Sequence, residues 1–319
     1  MKRVLSILMC LCLFMTTGCS RQEKIRFGAA GIGGMYYPFA NAFTELASKD
    51  EPEIHWKVKS TAGSAANLRL LSDNYIELGI AQADLIEDAY YGKGTFHSGR
   101  YRGYKAVASL YPEACQIVVR KDSDITSLDD LEGRTISVGE EESGTGRNAA
   151  QILEMCGLPD NLVNTKNLDY TDAAEQLAEK KIDAFFCTAG ICTTVIEELT
   201  KECDIRLLEI PQNCRQKLKK AYSFYNDYVI PAGTYSGQTE DIQTLSVQSV
   251  LLASNTLSEK TVQKLTVSLF KHIKDIQYST SINLQLTPQD AVKGITIPFH
   301  PGAEAYYKLE GVDLPEVES

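Results

Sequence analysis

The sequence predicts an α/β protein of two lobes, with the chain crossing between the lobes twice. Short strand patterns alternate with helix patterns from residue 24 onward, and the same alternation starts again after residue 121. A last strand and helix follow this second round, and small, glycine-rich stretches stand where strand patterns end. Repeated βα units imply parallel sheets covered by helices, and ligands of such sheets lie at the carboxyl ends of the strands.

Each predicted element has a local pattern of its own. In the first helix, which starts near Tyr36, Phe39, Phe43 and Leu46 form one apolar face. Strands are predicted at 25–30, 54–60, 76–82, 104–111, 115–121, 134–139, 182–189 and 245–254. Helices are predicted behind the first three strands (the third ending at Gly92), after 143–146 as far as Gly157, at 171–181, at 191–201, and near the end in PFHPGAEAYY. The strands 104–111 and 115–121 are separated by a turn at Pro112.

The last long helix has both a start signal and an apolar face. Ser258 is placed as its N-cap, and Val262, Leu265, Leu269 and Ile273 lie on one side. With the strand at 245–254, this helix returns the chain to the first lobe.

Composition excludes several classes of function. The 319 residues carry a net charge of −10, with 44% hydrophobic and 23% charged residues, so the chain is globular and lacks the basic face that nucleic acid requires. The four histidines are scattered, and neither G-x-S-x-G nor H-E-x-x-H occurs, so no catalytic residue or enzyme activity is predicted. The loop GAAGIGGMYYPF resembles a dinucleotide fingerprint, but its spacing fails and no acidic residue ends the second strand, so no cofactor is predicted.

The N-terminus has the pattern of an export signal. Lys2 and Arg3 precede an almost wholly apolar run at 4–15, which is too short to span about 30 Å of hydrocarbon. The stretch Thr16–Cys19 resembles the bacterial lipobox, in which the cysteine carries the lipid, although Thr16 stands where Leu is usual. We therefore expect a signal at 1–19 and a lipid anchor at Cys19, with plain cleavage near Gly18 as the alternative.

The cysteines leave two interpretations open. Outside the leader, the even number of cysteines at positions 115, 156, 187, 192, 203 and 214 permits disulfides, with Cys203–Cys214 and Cys187–Cys192 as the nearest pairs. Alternatively most are small buried hydrophobes, above all Cys115 and Cys156. No CxxC or zinc spacing occurs, so no metal is predicted.

The loop after the strand at 134–139 poses a contradiction. Ser143–Gly146 looks like a helix N-terminus, whose free N–H groups suit an anion. Glu140, Glu141 and Glu142 stand directly before it. The simplest interpretation turns these carboxylates outward into water. If one faces inward, Glu142 is the expected residue, and the ligand should then carry an ammonium group beside its carboxylate.

Ordered blocks over about 25–310 resemble one family. They include GIGGMYYPFANAF, STAGSAANLRLL, LGIAQADLIEDAYYG, SGTGRNAAQILEMCGL, KIDAFFCTAG and FHPGAEAYYKLEG. These residues resemble the TAXI group of solute-binding proteins from tripartite ATP-independent periplasmic (TRAP) transporters. Two departures concern the ligand site: Glu140–Glu142 replace the usual Gly-Ala-Pro, and Gly190-Ile191-Cys192 replaces Gly-x-Pro.

The resemblance implies a type II periplasmic-binding-protein fold, two α/β lobes joined by a two-strand hinge with the ligand cleft between them. It places lobe 1 at 24–114 and 248–319, lobe 2 at 115–247, and the hinge near 115–118 and 247–251. Together with the residue patterns, it gives these expected ligand contacts: Gly34, Met35, Tyr36, Thr61, Ala62, Gly63, Ser64, Asn67, Gln82, Asp84, Ser143, Gly144, Thr145, Gly190 and Tyr235.

The function implied is that of an exported receptor in the periplasm or on the outer face of the cell membrane. It would capture a small carboxylate-bearing solute, with an amino acid such as glutamate favoured, and deliver it to the ion-coupled permease of a TRAP transporter. Two alternatives keep the fold: a ligand sensor acting on a signalling partner, and an enzyme, which would need a nucleophile or base in the cleft.

Overall fold

The computed structural model describes residues 23–280 and 282–317, which form two α/β lobes around one mixed sheet. The strands are β1 (Glu23–Ala29), β2 (Ile54–Ser60), β3 (Leu78–Gln82), β4 (Tyr104–Arg120), β5 (Thr135–Ser137), β6 (Asn164–Lys166), β7 (Ala184–Ala189), β8 (Ile205–Leu207), β9 (Asn226–Ile230) and β10 (Ile242–Ser254). The helices are α1 (Tyr36–Asp50), α2 (Ser64–Ser72), α3 (Ala83–Tyr91), α4 (Gly144–Met155), α5 (Tyr170–Ala178), α6 (Thr194–Glu202), α7 (Gln212–Ala221), α8 (Glu259–Lys271), α9 (Ile273–Thr280) and α10 (Pro301–Leu309).

The expected signal at 1–19, with Cys19, lies outside the described residues. Within 23–280 and 282–317, every helix is too short or too polar to cross a membrane.

The sheet runs in the order β2-β1-β3-β10-β4-β7-β5-β6, with β8 on β4 and β9 on β10. Strands β1, β2 and β3 are parallel, and so are β5, β6 and β7. The long strands β4 and β10 are antiparallel to their neighbours and to each other. Since parallel strands need crossover connections, helices fill the links within each group, as the βα alternation predicted.

Strands β4 and β10 serve both groups of parallel strands. The segment Ser249–Ala253 of β10 pairs with β3, whereas Ala114–Val119 of β4 pairs with β7. The two long strands pair with each other between these regions, with irregularities next to Gln248 and Leu251. They therefore form the two-strand connection between the lobes.

The predicted turn at Pro112 is wrong, because β4 continues without a break from Tyr104 to Arg120. Pro112 lies opposite Gln248, where the register with β10 shifts. Proline lacks a backbone N–H and its ring accepts an extended φ, so a bulge in the ladder accommodates it without ending the strand.

Two buried clusters fill the lobes. Phe27, Phe39 and Phe43 belong to the first, where the rings of Phe39 and Phe43 stack with centroids 6.2 Å apart. Ile117 and Ile152 belong to the second. Burial of each side chain of this size stabilises the fold by about 1.5–3 kcal/mol. The apolar faces predicted for α1 and α8 therefore turn toward the core and orient both helices.

All six cysteines from Cys115 to Cys214 are free thiols. The proposed pairs Cys203–Cys214 and Cys187–Cys192 are therefore not disulfides in this structure. Cys115 is buried and Cys156 is half-buried against the second cluster, which agrees with the hydrophobic interpretation.

Candidate ligand site between the lobes

A cavity lies between the lobes, at the carboxyl ends of β1, β3 and β7. It is lined by Ala30, Gly31, Gly34, Met35, Tyr36, Ala62, Gly63, Ser64, Gln82, Glu113, Glu140, Ser143, Gly144, Thr145, Leu168, Asp169, Tyr170, Thr188 and Ala189. This position at strand ends is where α/β sheets bind ligands.

Three helix N-termini meet at this cavity. The loops that open α1 (Gly34–Tyr36) and α2 (Ala62–Ser64) come from one lobe, and the loop that opens α4 (Ser143–Thr145) comes from the other. The small-residue loops predicted to contact the ligand come together at this cavity. Their contact with a ligand stays a prediction.

The N-terminus of α4 has open backbone donors. Ser143 caps the helix by accepting a hydrogen bond from the Gly146 N–H at 3.0 Å. Among the described residues, the N–H groups of Gly144 and Thr145 have no hydrogen-bond acceptor. Such donors at the positive end of a helix suit a carboxylate.

Five expected contact residues lie off the cavity wall. Asn67 is fully buried, accepts from the Thr61 hydroxyl at 2.8 Å, and donates to the carbonyls of Gly28 and Ile80 at 3.2 and 2.9 Å. It therefore ties α2 to β1 and β3 rather than facing the cavity. Thr61 also faces away from the cavity, because its hydroxyl is bonded to Asn67.

The other three lie behind the wall or farther away. Asp84 is 1% exposed, beneath Gln82 at the start of α3. Gly190 lies behind Met35, since a Cβ on it would meet the Met35 side chain at 3.5 Å. The Tyr235 hydroxyl donates to Gln116 and accepts from the Thr193 N–H at 3.2 Å. These residues support the cavity from outside.

Sequence reasoning missed Glu113, which forms part of the cavity wall. It lies in the middle of β4, where a turn was predicted, opposite Val247. The signal was available: it is a lone acidic residue within a long and otherwise uncharged run from Ala106 to Val119. Such a residue is rarely buried without a partner or a function.

Glu113 is held by a tyrosine side chain of the first lobe. Its carboxyl is 2% exposed and accepts a hydrogen bond from the Tyr36 hydroxyl at 2.8 Å. Burial raises the pKa of Glu113 to about 8, against the opposing effect of hydrogen bonds from Tyr36 and Gln82. The pKa of Tyr36 is raised well above its usual value by burial and by the Glu113 charge, so Tyr36 remains a donor.

Tyr170 and Thr188, also missed, fix the second lobe's side of the cavity. The Tyr170 hydroxyl donates to the Thr188 carbonyl at 3.0 Å and contacts the Thr145 hydroxyl. The Thr188 N–H donates to Thr145 Oγ1 at 3.2 Å. This ring of hydrogen bonds attaches the start of α4 to β7.

The three successive glutamates have three different environments. Glu140, not Glu142, faces the cavity, and burial followed by the nearby Asp169 and Asp172 charges raises its pKa. Glu141 is exposed. The expectation that all three point outward is therefore wrong for Glu140.

Glu142 instead joins the two lobes. Its carboxylate pairs with Arg69 at 2.9 Å, and its carbonyl oxygen accepts from the N–H groups of Ala65 and Ala66 at 3.0 and 3.3 Å. The prediction of Glu142 as the inward carboxylate is wrong because Arg69 draws it away.

A second ion pair also crosses between the lobes. Arg147 of α4 pairs with Asp88 of α3 at 2.6 Å, with side-chain exposures of 22% and 13%. The Val195 N–H also donates to the Gly33 carbonyl at 3.3 Å. The lobes are thus in contact on more than one side of the cavity.

The charge of the cavity wall has one sign. Glu113, Glu140 and Asp169 line it, whereas the wall residues from the described segments include no Lys, Arg or His. No group of three His, Cys, Asp or Glu side chains in 23–280 and 282–317 is arranged to hold a metal. The site therefore offers carboxylates together with hydroxyl and amide donors.

Comparison with known proteins agrees with this architecture. The sequence profile of the NMT1-like family matches residues 27–311. The fold is similar to a structure described as a periplasmic transporter, with a TM-score of 0.54, 12% identity, and coverage of 91% of this chain and 93% of that one. It is also similar to an ancestral arginine-binding protein bound to arginine (TM-score 0.53, 14% identity, 81% and 97% coverage).

A third similar structure is the alkanesulfonate-binding protein SsuA from Xanthomonas axonopodis pv. citri bound to MOPS (TM-score 0.50, 16% identity, 89% and 83% coverage). At such identities the likeness establishes the fold. The predicted class, a type II periplasmic-binding-protein fold of two α/β lobes with a cleft between them, is confirmed.

Proposed function

The chain belongs to the NMT1-like family, and from this premise we propose that it is an extracytoplasmic receptor for a small solute that carries both a carboxylate and an ammonium group. An amino acid such as glutamate is the favoured ligand. The proposal rests on a cavity between two lobes and needs no chemical step.

The distribution of charge around the cavity carries this assignment. The open N–H groups at the start of α4 suit the ligand's carboxylate, and Glu113, Glu140 and Asp169 suit its ammonium group. A dicarboxylate would meet three acidic side chains on a wall that supplies no cationic side chain from the described residues. One helix N-terminus stabilises an anion by about 0.3–2 kcal/mol, which is too little to offset repulsion from the acidic side chains of this wall.

Capture would proceed by closure of the lobes about β4 and β10. We propose that lobe 1 comprises 24–114 and 248–319 and lobe 2 comprises 115–247, because β3 pairs with β10 on one side of this division and β7 with β4 on the other. Closure buries the ligand and joins Glu142 to Arg69.

The partner in this proposal is the ion-coupled permease of a TRAP transporter, which would recognise the closed form. The ordered blocks over about 25–310 that resemble the TAXI group support this partner, and the leader pattern ending at Cys19 supports a lipid anchor at the membrane surface. The arginine held by one protein of similar fold is consistent with an amino acid ligand.

Calorimetry on the purified protein tests the ligand class. L-Glutamate and L-glutamine should bind more tightly than 2-oxoglutarate and succinate, because only the amino acids carry the ammonium group. Glu140→Gln should weaken amino acid binding about 5- to 30-fold, as expected for the loss of one partly buried charged hydrogen bond. The exposed neighbour Glu141→Gln is the matched control and should leave affinity unchanged. Tightest binding of succinate would overturn the proposal.

A further inference from the structure

Glu113 occupies a position in the cavity that its structural contacts alone do not explain. Its carboxyl lies on the wall, within β4, and accepts a hydrogen bond from the Tyr36 hydroxyl of lobe 1 at 2.8 Å. A donor aimed at a buried carboxyl stabilises its charged form. A group that served only to fill the core would be uncharged here, as the rest of β4 from Ala106 to Val119 is.

Among the residues that the structure describes, the groups that face Glu113 include no cation. They are Tyr36 from α1, Asp84 from α3, Tyr111 and Cys115 from β4, Tyr170 from α5, Cys187 from β7 and the apolar Val247 from β10. Burial raises the pKa of each of these phenols and thiols, so all are neutral near pH 7. Asp84, whose pKa burial raises to about 6, adds negative charge near neutral pH. A cationic partner for the ionised form of Glu113 would therefore have to come from the ligand.

We propose that Glu113 is the specificity residue for the ligand's ammonium group, and that each capture of an amino acid expels one proton from the cavity into solvent. This inference rests on the proposed function and adds a residue and a proton to it. On binding, the neutral carboxyl of Glu113 loses its proton to water, and the ligand's ammonium group takes the proton's place beside the carboxylate.

The direction of the linkage follows from the free and bound states. In the ligand-free protein the pKa of Glu113 is about 8, so the carboxyl is mostly protonated at neutral pH. An adjacent ammonium group lowers a carboxyl pKa by about 1–3 units. Between the two values, the bound protein holds fewer protons than the free protein. Amino acid affinity should therefore rise with pH in this window, by up to about tenfold per pH unit.

Calorimetry with L-glutamate, L-glutamine and 2-oxoglutarate, each at about pH 7.5 in phosphate and in Tris, tests this proposal. The two buffers take up protons with different heats, so the difference between them counts the protons released. Release of roughly 0.5–0.8 proton per bound amino acid is expected at this pH. Asp84, with a pKa of about 6, is ionised at this pH and does not contribute.

Two variants separate a binding role from a structural one. Glu113→Gln keeps the size of the side chain and should abolish proton release while weakening amino acid binding at least tenfold. Tyr36→Phe removes a hydrogen bond that favours the carboxylate, so the pH at which affinity rises should move upward. Glu141→Gln should retain the wild-type proton count.

The outcomes distinguish this inference from the proposed function. Amino acid binding without proton release, or with proton uptake, overturns the role of Glu113 and leaves the receptor assignment intact. Tighter binding of 2-oxoglutarate than of either amino acid overturns the ammonium specificity, while capture of a carboxylate stands. Binding of none of the three overturns both.

Discussion

The helices α2 and α4 start from similar loops, but their first backbone N–H groups differ in whether they have an acceptor. Each follows a stretch of small residues, Thr61–Ser64 in one lobe and Ser143–Thr145 in the other. At α2, the carbonyl oxygen of Glu142 accepts from the first free N–H groups. At α4, the corresponding donors, within the described segments, have no acceptor. One helix N-terminus is thus a docking point for the opposite lobe, and the other remains open to a ligand.

The N-termini of α2 and α4 are linked through two adjacent residues of the chain. Glu142, which occupies the start of α2, immediately precedes Ser143, the cap of α4. Closing the lobes at α2 therefore places the open end of α4 at the cavity in the same movement. This arrangement also resolves the contradiction of three glutamates before an anion-binding loop, because one serves the interface, one the cavity and one the solvent.

The largest expected effect comes from the α2 side of this comparison, with Gly63→Ala. Gly63 has a φ of +122°, and a Cβ there would lie 3.2 Å from the Cα of Ser143. Backbone strain of this kind costs about 1–3 kcal/mol, and the added methyl group keeps the lobes apart. We expect the free energy of unfolding to fall by that amount and glutamate affinity to fall at least tenfold.

Gly133→Ala is the matched control for Gly63→Ala. Gly133 has a φ of +74° and open space around it, so an added Cβ meets nothing. Its substitution should lower the unfolding free energy but leave affinity unchanged. Equal affinities for the two variants, measured by calorimetry, would show that the loop of α2 is not a point of lobe closure.

A smaller effect is expected on the α4 side, from Ser143→Ala. The hydroxyl of Ser143 caps α4, and loss of an N-cap costs about 0.5–2 kcal/mol. Since the same cap positions the open N–H groups, glutamate affinity should also fall, by about fivefold.

Ser258→Ala removes an equivalent cap from α8, where Ser258 accepts from the Thr261 N–H. It should cost similar stability in thermal unfolding without a change in affinity. Identical affinities for both variants would argue against α4 as the carboxylate site.

Much of the fold could be predicted because its signals are local. Apolar spacing placed α1 and α8, and Gly92 and Ser258 marked helix ends correctly. The turn at Pro112 was wrong for a non-local reason. The ladder that continues β4 past this proline is provided by Gln248 and its neighbours in β10, which are remote in sequence.

In the site too, local features could be predicted from the sequence and non-local contacts could not. Small-residue loops announce helix N-termini, so Gly34, Ser64 and Gly144 could be placed at the cavity. The direction of a side chain depends on what surrounds it in three dimensions. Asn67 turns to the carbonyls of β1 and β3, and Glu142 to Arg69, because those partners lie within reach only after folding.

The smallest effect is expected from Glu142→Gln, which removes the charge at the interface and keeps the carbonyl bonds to α2. Arg69 is held by residues of its own lobe, with its guanidinium 4.7 Å from the Phe96 ring centre and donating to the Tyr101 hydroxyl at 2.8 Å. This order reduces the entropy lost on pairing, but the pair is 32% and 43% exposed, so it contributes about 0.2–1 kcal/mol. Glutamate affinity should fall two- to threefold at low salt, and the difference from wild type should shrink at about 1 M salt, where screening acts within about 3 Å.

Glu45→Gln, which breaks an exposed pair with Lys49 within α1, is the control and should leave glutamate affinity unchanged. A loss that persists at high salt would mean that Glu142 acts through its backbone geometry, and that charge does not help to hold the lobes together.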